Sequence, residues 1–273
     1  MAGLKSPSLF VGIVGLGVLL LVVVVGPTMI TADPTDMDYT AILLPPGRGH
    51  PLGTDDLGRD LLSRVLHGGR ISLAVGAATM VMTAGLGGLV GLGCGGLARL
   101  DAVVMRVMDV LMSFPSLLLA LAIMASLGSS AFNVVVALSL AYTPRTARVV
   151  RSVVLGVRQE AYVEAARALG FSTPRILLRH VLPGAIPALV VQQTFIFAYA
   201  VLGEAGLSFV GVGIQPPTPS WGNILGDARP IMQTAPWMVF FAGGAIMLCV
   251  LFLNLVGDGL REALDPKRRH VHT

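Results

Sequence analysis

The chain has little charge and almost no cysteine. Only 12% of its 273 residues are Asp, Glu, Lys or Arg, whereas 54% are apolar and the mean hydropathy is +0.79. That balance cannot clothe a water-soluble domain of this length, so a soluble globular enzyme is excluded. The two cysteines, Cys94 and Cys249, have no CxxC or metal spacing and are expected to be buried, inert thiols. A Gly-x-x-x-x-Gly-Lys-Ser/Thr loop is missing, so the chain has no phosphate cradle with which to act as an ATPase by itself. Long apolar runs are also free of histidine: the five stand at 50, 67, 180, 270 and 272. An intramembrane protease or lipid hydrolase needs a base or a metal ligand at membrane depth, and none is in place. The pair His270–Val271–His272 reads as chain tail. Acids are equally scarce in the runs, and no inverted repeat is evident, which argues against an ion-coupled secondary carrier.

What the sequence has instead is length of apolar run. About 20 apolar residues cross a bilayer as a helix, and inside the hydrocarbon every backbone polar group must be paired within the protein. The runs are continuous rather than alternating, so they predict helices. Six are expected to span: Ser8–Met29, Ile71–Leu97, Val107–Leu127, Asn133–Leu155, Ala185–Leu202 and Trp237–Gly257. The first follows Lys5 as a signal peptide would, but it is long for one and no A-x-A-like site follows. It is read as a retained helix.

Orientation follows from the cations. With six spans and the N-terminus inside, 14 of the 19 Lys and Arg residues fall on the internal side. Arg48, Arg59, Arg64, Arg70 and Arg229 lie outside, where residues 30–70 also carry six aspartates. The positive-inside rule puts both termini in the cytoplasm. The basic pI of about 9.5 is therefore topogenic, and no nucleic-acid partner is expected.

Between the expected first and second spans, Thr54 or Asp55 should cap an amphipathic surface helix from about Asp56 to Leu66, closed by Gly68–Gly69. The aspartates nearby and His50 are read as solvated loop residues rather than a metal site. Gly87, Gly91 and Gly95 recur at four-residue intervals and predict a close helix–helix seam. The triplet Ser113–Phe114–Pro115 predicts a kink, and Pro144 and Pro187 are read similarly. Glu204 is placed at the outer end of the fifth span, reaching water or a partner. Trp221 and Trp237 are placed as interfacial anchors at the outer surface.

One stretch does not fit an apolar protein. EAYVEAARALGFSTPRILLRHVLP, residues 160–183, reads as two short helices joined at Gly170, which can take the left-handed conformation. Ala161, Ala165 and Ala168 make a small face on the first helix. Ser172 or Thr173 should cap the second, with Pro174 at its first position, and Pro183–Gly184 should stop it before the fifth span. Two roles fit: an amphipathic loop on lipid headgroups, or a docking site for a soluble partner. The flanking Arg145, Arg148 and Arg151 are expected to hold the base of the fourth span at the headgroups.

The pattern Glu164-Ala165-Ala166, three residues, Gly170, then Leu182-Pro183 resembles the EAA loop of ABC-importer permeases, with His180 where that pattern carries isoleucine. HPLGTDDLGRDLLSR, MDVLMSFPSLLLA, EAGLSFVGVGIQPPTPSWGNIL and FLNLVGDGLREALDP are similar to segments of the C-type subunit of dipeptide, oligopeptide or nickel permeases. The matched segments run from about His50 to Pro266.

That resemblance implies an all-α polytopic fold of the type I importer class. Its parts would be a first helix in 1–30, an external segment 31–70, a permease domain 71–260 with its coupling loop at 156–184, and a tail 261–273. It also implies a B-type permease partner, one or two ATPase subunits carrying ATP and Mg, and an extracytoplasmic substrate-binding protein. The chain itself would bind no cofactor and no metal. Glu164, Ala165, Ala166, Gly170, Leu182 and Pro183 would couple to the ATPase, with Tyr162, Arg167, Arg148 and Arg151 as further contacts. Gln192 and Gln193 would line the path, unless they pack against neighbouring helices. The cargo would be di- or oligopeptides, or alternatively nickel or another small solute.

Overall fold

A computed structural model describes residues 7–30 and 32–264, and within them every extended element is a helix. Four are long and apolar enough to cross a membrane: α1 (Pro7–Met29), α2 (Leu61–Gly96), the continuous stretch Thr173–Phe209, and α10 (Pro236–Leu264). That stretch begins as α7 (Thr173–Ile176) and ends as α8 (Leu182–Phe209). The helix α5 (Ala131–Val157) is also 27 residues long, about 40 Å at 1.5 Å per residue. Its C-terminal half is rich in arginine.

The expected third span is not one helix. It breaks into α3 (Ala98–Ser113) and α4 (Ser116–Leu127), bent by 95° at Phe114–Pro115. Pro115 has no N–H to continue the ladder, and the residue before a proline is driven to extended geometry; Phe114 has φ −93° and ψ 139°. At 12 residues α4 is about 18 Å long, short of a bilayer's roughly 30 Å core. Pro144 and Pro187, by contrast, sit inside α5 and α8 without ending them.

The centre is made by α2, α5 and α8. Built onto Gly87, a Cβ would lie 2.6 Å from Thr146 Cβ; on Gly91, 2.6 Å from the Ala147 carbonyl; on Gly95, 2.5 Å from Val154. Successive glycines therefore meet successive turns of α5, which makes the two helices parallel and places their axes as close as backbones allow. The opposing positions up the same seam carry Thr79, Thr83, Ser139 and Thr143, all buried. Helix α8 runs antiparallel to both: Tyr142 donates to the Tyr199 carbonyl (3.1 Å), and Leu138 packs on Gly203.

Helix α1 lies antiparallel on α10. Gly12 and Gly15 meet Leu255 and Phe252, and Leu9 meets Gly259. The first and last helices therefore share one end, which is also the end of the 160–183 elbow. Pro27 lies inside α1 and leaves the carbonyl of Val23 without its usual donor. Arg70 of α2 supplies it, donating Nε to Val23 O at 3.2 Å and Nη2 to Val24 O.

The opposite end differs from expectation in four ways. No separate surface helix exists: residues 54–60 form a turn, Asp60 caps α2 by accepting from Ser63 N (2.8 Å), and α2 runs unbroken through Gly68–Gly69. Those glycines are close-contact positions rather than stops, Gly68 against the Ser220 backbone and Gly69 against Trp221 and Val23.

Asp55 is not a solvated acid. It is fully buried, accepts from the Leu57 and Arg59 amides at 2.9 Å, and pairs with Arg59 Nε at 2.7 Å and with Arg64 Nη1. Asp227 of α9 (Trp221–Ala228) closes the network, 3.1 Å from Arg64 and 3.4 Å from Arg59. Burial alone would raise the Asp55 pKa. The two guanidinium groups and the amides outweigh burial and hold it below its ordinary value of 3.8.

Glu204 reaches neither water nor partner. It is fully buried, accepting from Ser72 Oγ (2.7 Å) and Ser208 Oγ (2.8 Å). Each serine in turn accepts from a backbone amide, Trp221 N at 3.1 Å and Ile214 N at 3.1 Å. Trp221 is likewise buried rather than interfacial, its indole donating to Val65 O at 2.9 Å. Trp237 is half-buried, donating to Thr54 O at 3.1 Å. Cys94 and Cys249 are buried and free.

Two outcomes follow. Gly91→Leu should overpack the seam and lower the stability of the detergent-purified chain by about 1–3 kcal/mol, read as a fall in thermal midpoint and monodisperse yield. Because the Asp55 pKa is lowered on folding, its contribution is complete above the unfolded carboxylate value and is lost as pH falls through the lower folded one. The thermal midpoint should thus show no Asp55-linked loss from pH 7 to 5. Below about pH 4 it should drop more in wild type than in Asp55→Asn. Asp55→Ala should cost about 3–5 kcal/mol, since it strands buried cations.

Candidate coupling elbow and adjoining cleft

The elbow begins where α5 ends. Val154 and Val157 fix that end, and Arg158 Nη1 donates to the Gly95 carbonyl at the terminus of α2 (2.5 Å). Helix α6 (Ala161–Ala168) follows, alanine-rich and short. A Schellman closure ends it, with Phe171 N on the Ala166 carbonyl (3.2 Å) and Gly170 N on the Arg167 carbonyl (2.9 Å). Gly170 has φ +78°, a conformation that β-carbon sterics disfavour in other residues.

The second leg starts at Ser172, which occupies the N-cap position without a side-chain cap bond. It does not stop at Pro183–Gly184, as expected, but passes through a π turn, Leu177–Val181, straight into α8. The reason is geometric. Proline cannot donate and clashes with the carbonyl four residues back. A wider turn with Leu182 N bonded to Leu177 O lets the chain absorb Pro183 without breaking.

An apolar cluster holds the elbow to the bundle. Val163 and Ala166 of α6 are buried with Leu92 of α2, Val150 and Val154 of α5, Ile176, Leu177 and Val181 of the second leg, and Ala185 of α8. The predicted coupling residues therefore divide. Glu164, Ala165, Arg167 and Gly170 are exposed on the outer side, with Tyr162 half-exposed and Pro183 exposed; Leu182 is half-buried and Ala166 is turned inward. Ala161, Ala165 and Ala168 of the expected small face are all exposed. Glu164 has no side-chain partner among the described residues, so its charge is available.

Arg148 and Arg151 are taken up within the chain. Arg148 Nη2 lies 2.5 Å from Asp109 and Arg151 Nη2 lies 2.6 Å from Asp101, both acids on α3. Arg151 and Asp101 meet through two parallel bonds and are both largely shielded, whereas Arg148 and Asp109 are each about half exposed, at 50% and 54%. The first pair is the stronger strut between α3 and α5. Arg145 stacks over Tyr199 of α8, 5.0 Å from its ring centre.

Beside the elbow, α5, α8 and the end of α10 enclose an open cleft of about 590 Å³, lined by Val149, Gly184, Pro187, Gln192, Phe195 and Arg261 among others. The two glutamines separate here. Gln192 lines the cleft. Gln193 points into the bundle, 6% exposed, with Nε2 donating to Thr146 Oγ1 at 3.3 Å and Oε1 without a partner.

Sequence reasoning did not assign Phe171 or Arg175, which stack on one another (4.7 Å) beside His180. An aromatic just after the elbow glycine with a cation four residues on was the available signal.

The family described as "binding-protein-dependent transport system inner membrane component" matches residues 84–270. The dipeptide transport system permease protein DppC of Alkalihalophilus pseudofirmus is 39% identical over 266 residues, covering 97% of this chain and 88% of the relative. The glutathione transport system permease protein GsiD of Pectobacterium atrosepticum is 45% identical over 233 residues, covering 84% and 77%. Among solved structures, the MetNI methionine ABC transporter in inward-facing conformations shares the fold. Its TM-score is 0.59 at 21% identity, covering 74% of this chain and 97% of that one.

The α3–α5 strut makes a testable outcome. Arg151→Asp should lower stability by about 1 kcal/mol, and Asp101→Arg in the same chain should restore most of it. The thermal midpoints of the two single variants and the double variant measure the coupling.

Proposed function

Since the chain belongs to the binding-protein-dependent transport system inner membrane component family, we propose that it is one membrane half of an ATP-driven peptide importer. It stands as a multi-pass subunit of the bacterial inner membrane. The observation that carries the reading is the elbow: an ordered, polar hairpin with Glu164, Ala165 and Arg167 outward, packed by Val163 and Ala166 onto the ends of α2 and α5.

The partners are a second, B-type permease, one or two ABC ATPase subunits, and an extracytoplasmic binding protein. Termini and elbow face the cytoplasm, in line with the cation count. ATP and Mg belong to the ATPase. Its closure pushes the elbow, with α6 seated in a groove of the ATPase and Glu164 paired to a basic group there. Leu182 and Pro183 join the elbow to α8, which carries the displacement into the membrane. Arg148 and Arg151 act from behind, bracing α3 against α5.

The cargo is a peptide, as the relatives' names suggest, and it passes between the two permeases along a face that includes Gln192. Gln193 serves packing rather than the path. No step requires a cofactor on this chain.

Glu164→Lys and Gly170→Pro should each lower ATP-dependent peptide uptake by more than tenfold and prevent ATPase subunits from copurifying, while membrane insertion is retained. Wild-type uptake by either variant would refute the coupling role. Uptake into vesicles that needs ATP and survives an uncoupler separates this reading from an ion-coupled carrier.

A further inference from the structure

His180 stands where the family-like pattern has an aliphatic residue, and the structure makes it the meeting point of the elbow's two legs. Tyr162 of α6 donates its hydroxyl to the His180 carbonyl at 3.2 Å. Phe171, at the bend, lays its ring against the imidazole, with centroids 5.9 Å apart and planes inclined by 31°. Arg175 covers Phe171 at 4.7 Å, so a cation, a phenyl ring and an imidazole stand as one stack.

His180 also lies within the π turn, the segment that leads directly into α8. Its Nδ1 is buried and takes no hydrogen bond. Polarity therefore does not fix the ring at that atom; shape and stacking do. A buried polar atom left unpaired is destabilising, so an aliphatic side chain would be the more stable choice if packing density were the only requirement.

We propose that His180 is a positioning residue for coupling: its imidazole ties the bend at Phe171 to the root of α8, so that displacement of the elbow moves the spanning helix. The inference rests on the reading of the elbow as the ATPase contact. Tyr162 reaches a main-chain carbonyl, and Val163 and Ala166 pack on the second leg, whatever the side chain at 180. Without the imidazole–Phe171 contact it is the bend that is left loose, and part of the push would be absorbed at Gly170, whose surroundings are open. With it, the bend and the π turn move together with α6.

The test uses the assembled transporter with its binding protein in proteoliposomes, measuring peptide taken up per ATP hydrolysed. His180→Leu should still copurify with the ATPase subunits, but its uptake per ATP should fall about three- to tenfold. His180→Phe, which keeps a flat ring, should restore most of the ratio. His180→Asn, which keeps a polar atom near the Nδ1 position without a ring, should not. A wild-type ratio in His180→Leu overturns the proposal, as does rescue by Asn rather than Phe. Should His180→Leu lose its ATPase subunits altogether, the residue belongs to docking and the proposal fails. Failure of the parent reading is distinguishable, because then the wild-type complex itself shows no peptide-dependent ATP hydrolysis.

Discussion

The close approach of α2 to α5 is the constraint on which the bundle rests. Three glycines at four-residue intervals put one backbone against Thr146, Ala147, Val150 and Val154 of the other, with no room for a β-carbon. In a bilayer the hydrophobic effect gives helices no reason to associate, so contact of this kind and shared polar groups must do so instead. The seam brings together at one end the terminal turns that carry the elbow. Arg158 reaches the Gly95 carbonyl because the two helices finish side by side, and Leu177 of the π turn closes on Gly96 at the same end.

At the other end polar groups take over. Glu204 draws α2, α8, the loop after α8 and the first turn of α9 to a single carboxylate. Its two serine donors each hold a backbone amide from a different segment. Asp55 does the same for the loop before α2, through Arg59, Arg64 and Asp227. Both acids accept from several donors, which is what a buried carboxylate requires. The apolar bundle is therefore closed by glycine contacts at one level and by satisfied charges at another.

These contrasts explain what could be read in the sequence. Long apolar runs, the glycine repeat, the Phe114–Pro115 break and the elbow's Gly170 are local signals, and each appears where the residues place it. Glu204 and Trp221 were misplaced because their partners are remote: Ser72 is 132 residues from Glu204, and Val65 is 156 from Trp221. Asp55 has its cations nearby, at Arg59 and Arg64, but its burial depends on the packing of α9, whose Asp227 is 163 residues from Arg64. No local pattern separates an acid that awaits a serine hydroxyl from one that faces water. Gly68–Gly69 and Pro183–Gly184 misled for another reason. Residues that often end helices are tolerated where a neighbour presses close or a wider turn relieves the clash. The elbow residues were legible as a motif, but the inward turn of Ala166 depends on what α6 packs against.

The unbroken course of α2 has a mechanical meaning. Its 36 residues make a rod of about 54 Å, well beyond the roughly 30 Å of hydrocarbon it crosses. A rod with no hinge is a lever: tilting one end by about 5° sweeps the other through about 5 Å. The seam with α5 grips it near the elbow, while Asp60, Arg64 and Ser72 ride on the far arm with the loop and α9. A small rotation beside the elbow thus becomes a displacement of side-chain size at the opposite end of the bundle, with no intermediate residue having to change conformation.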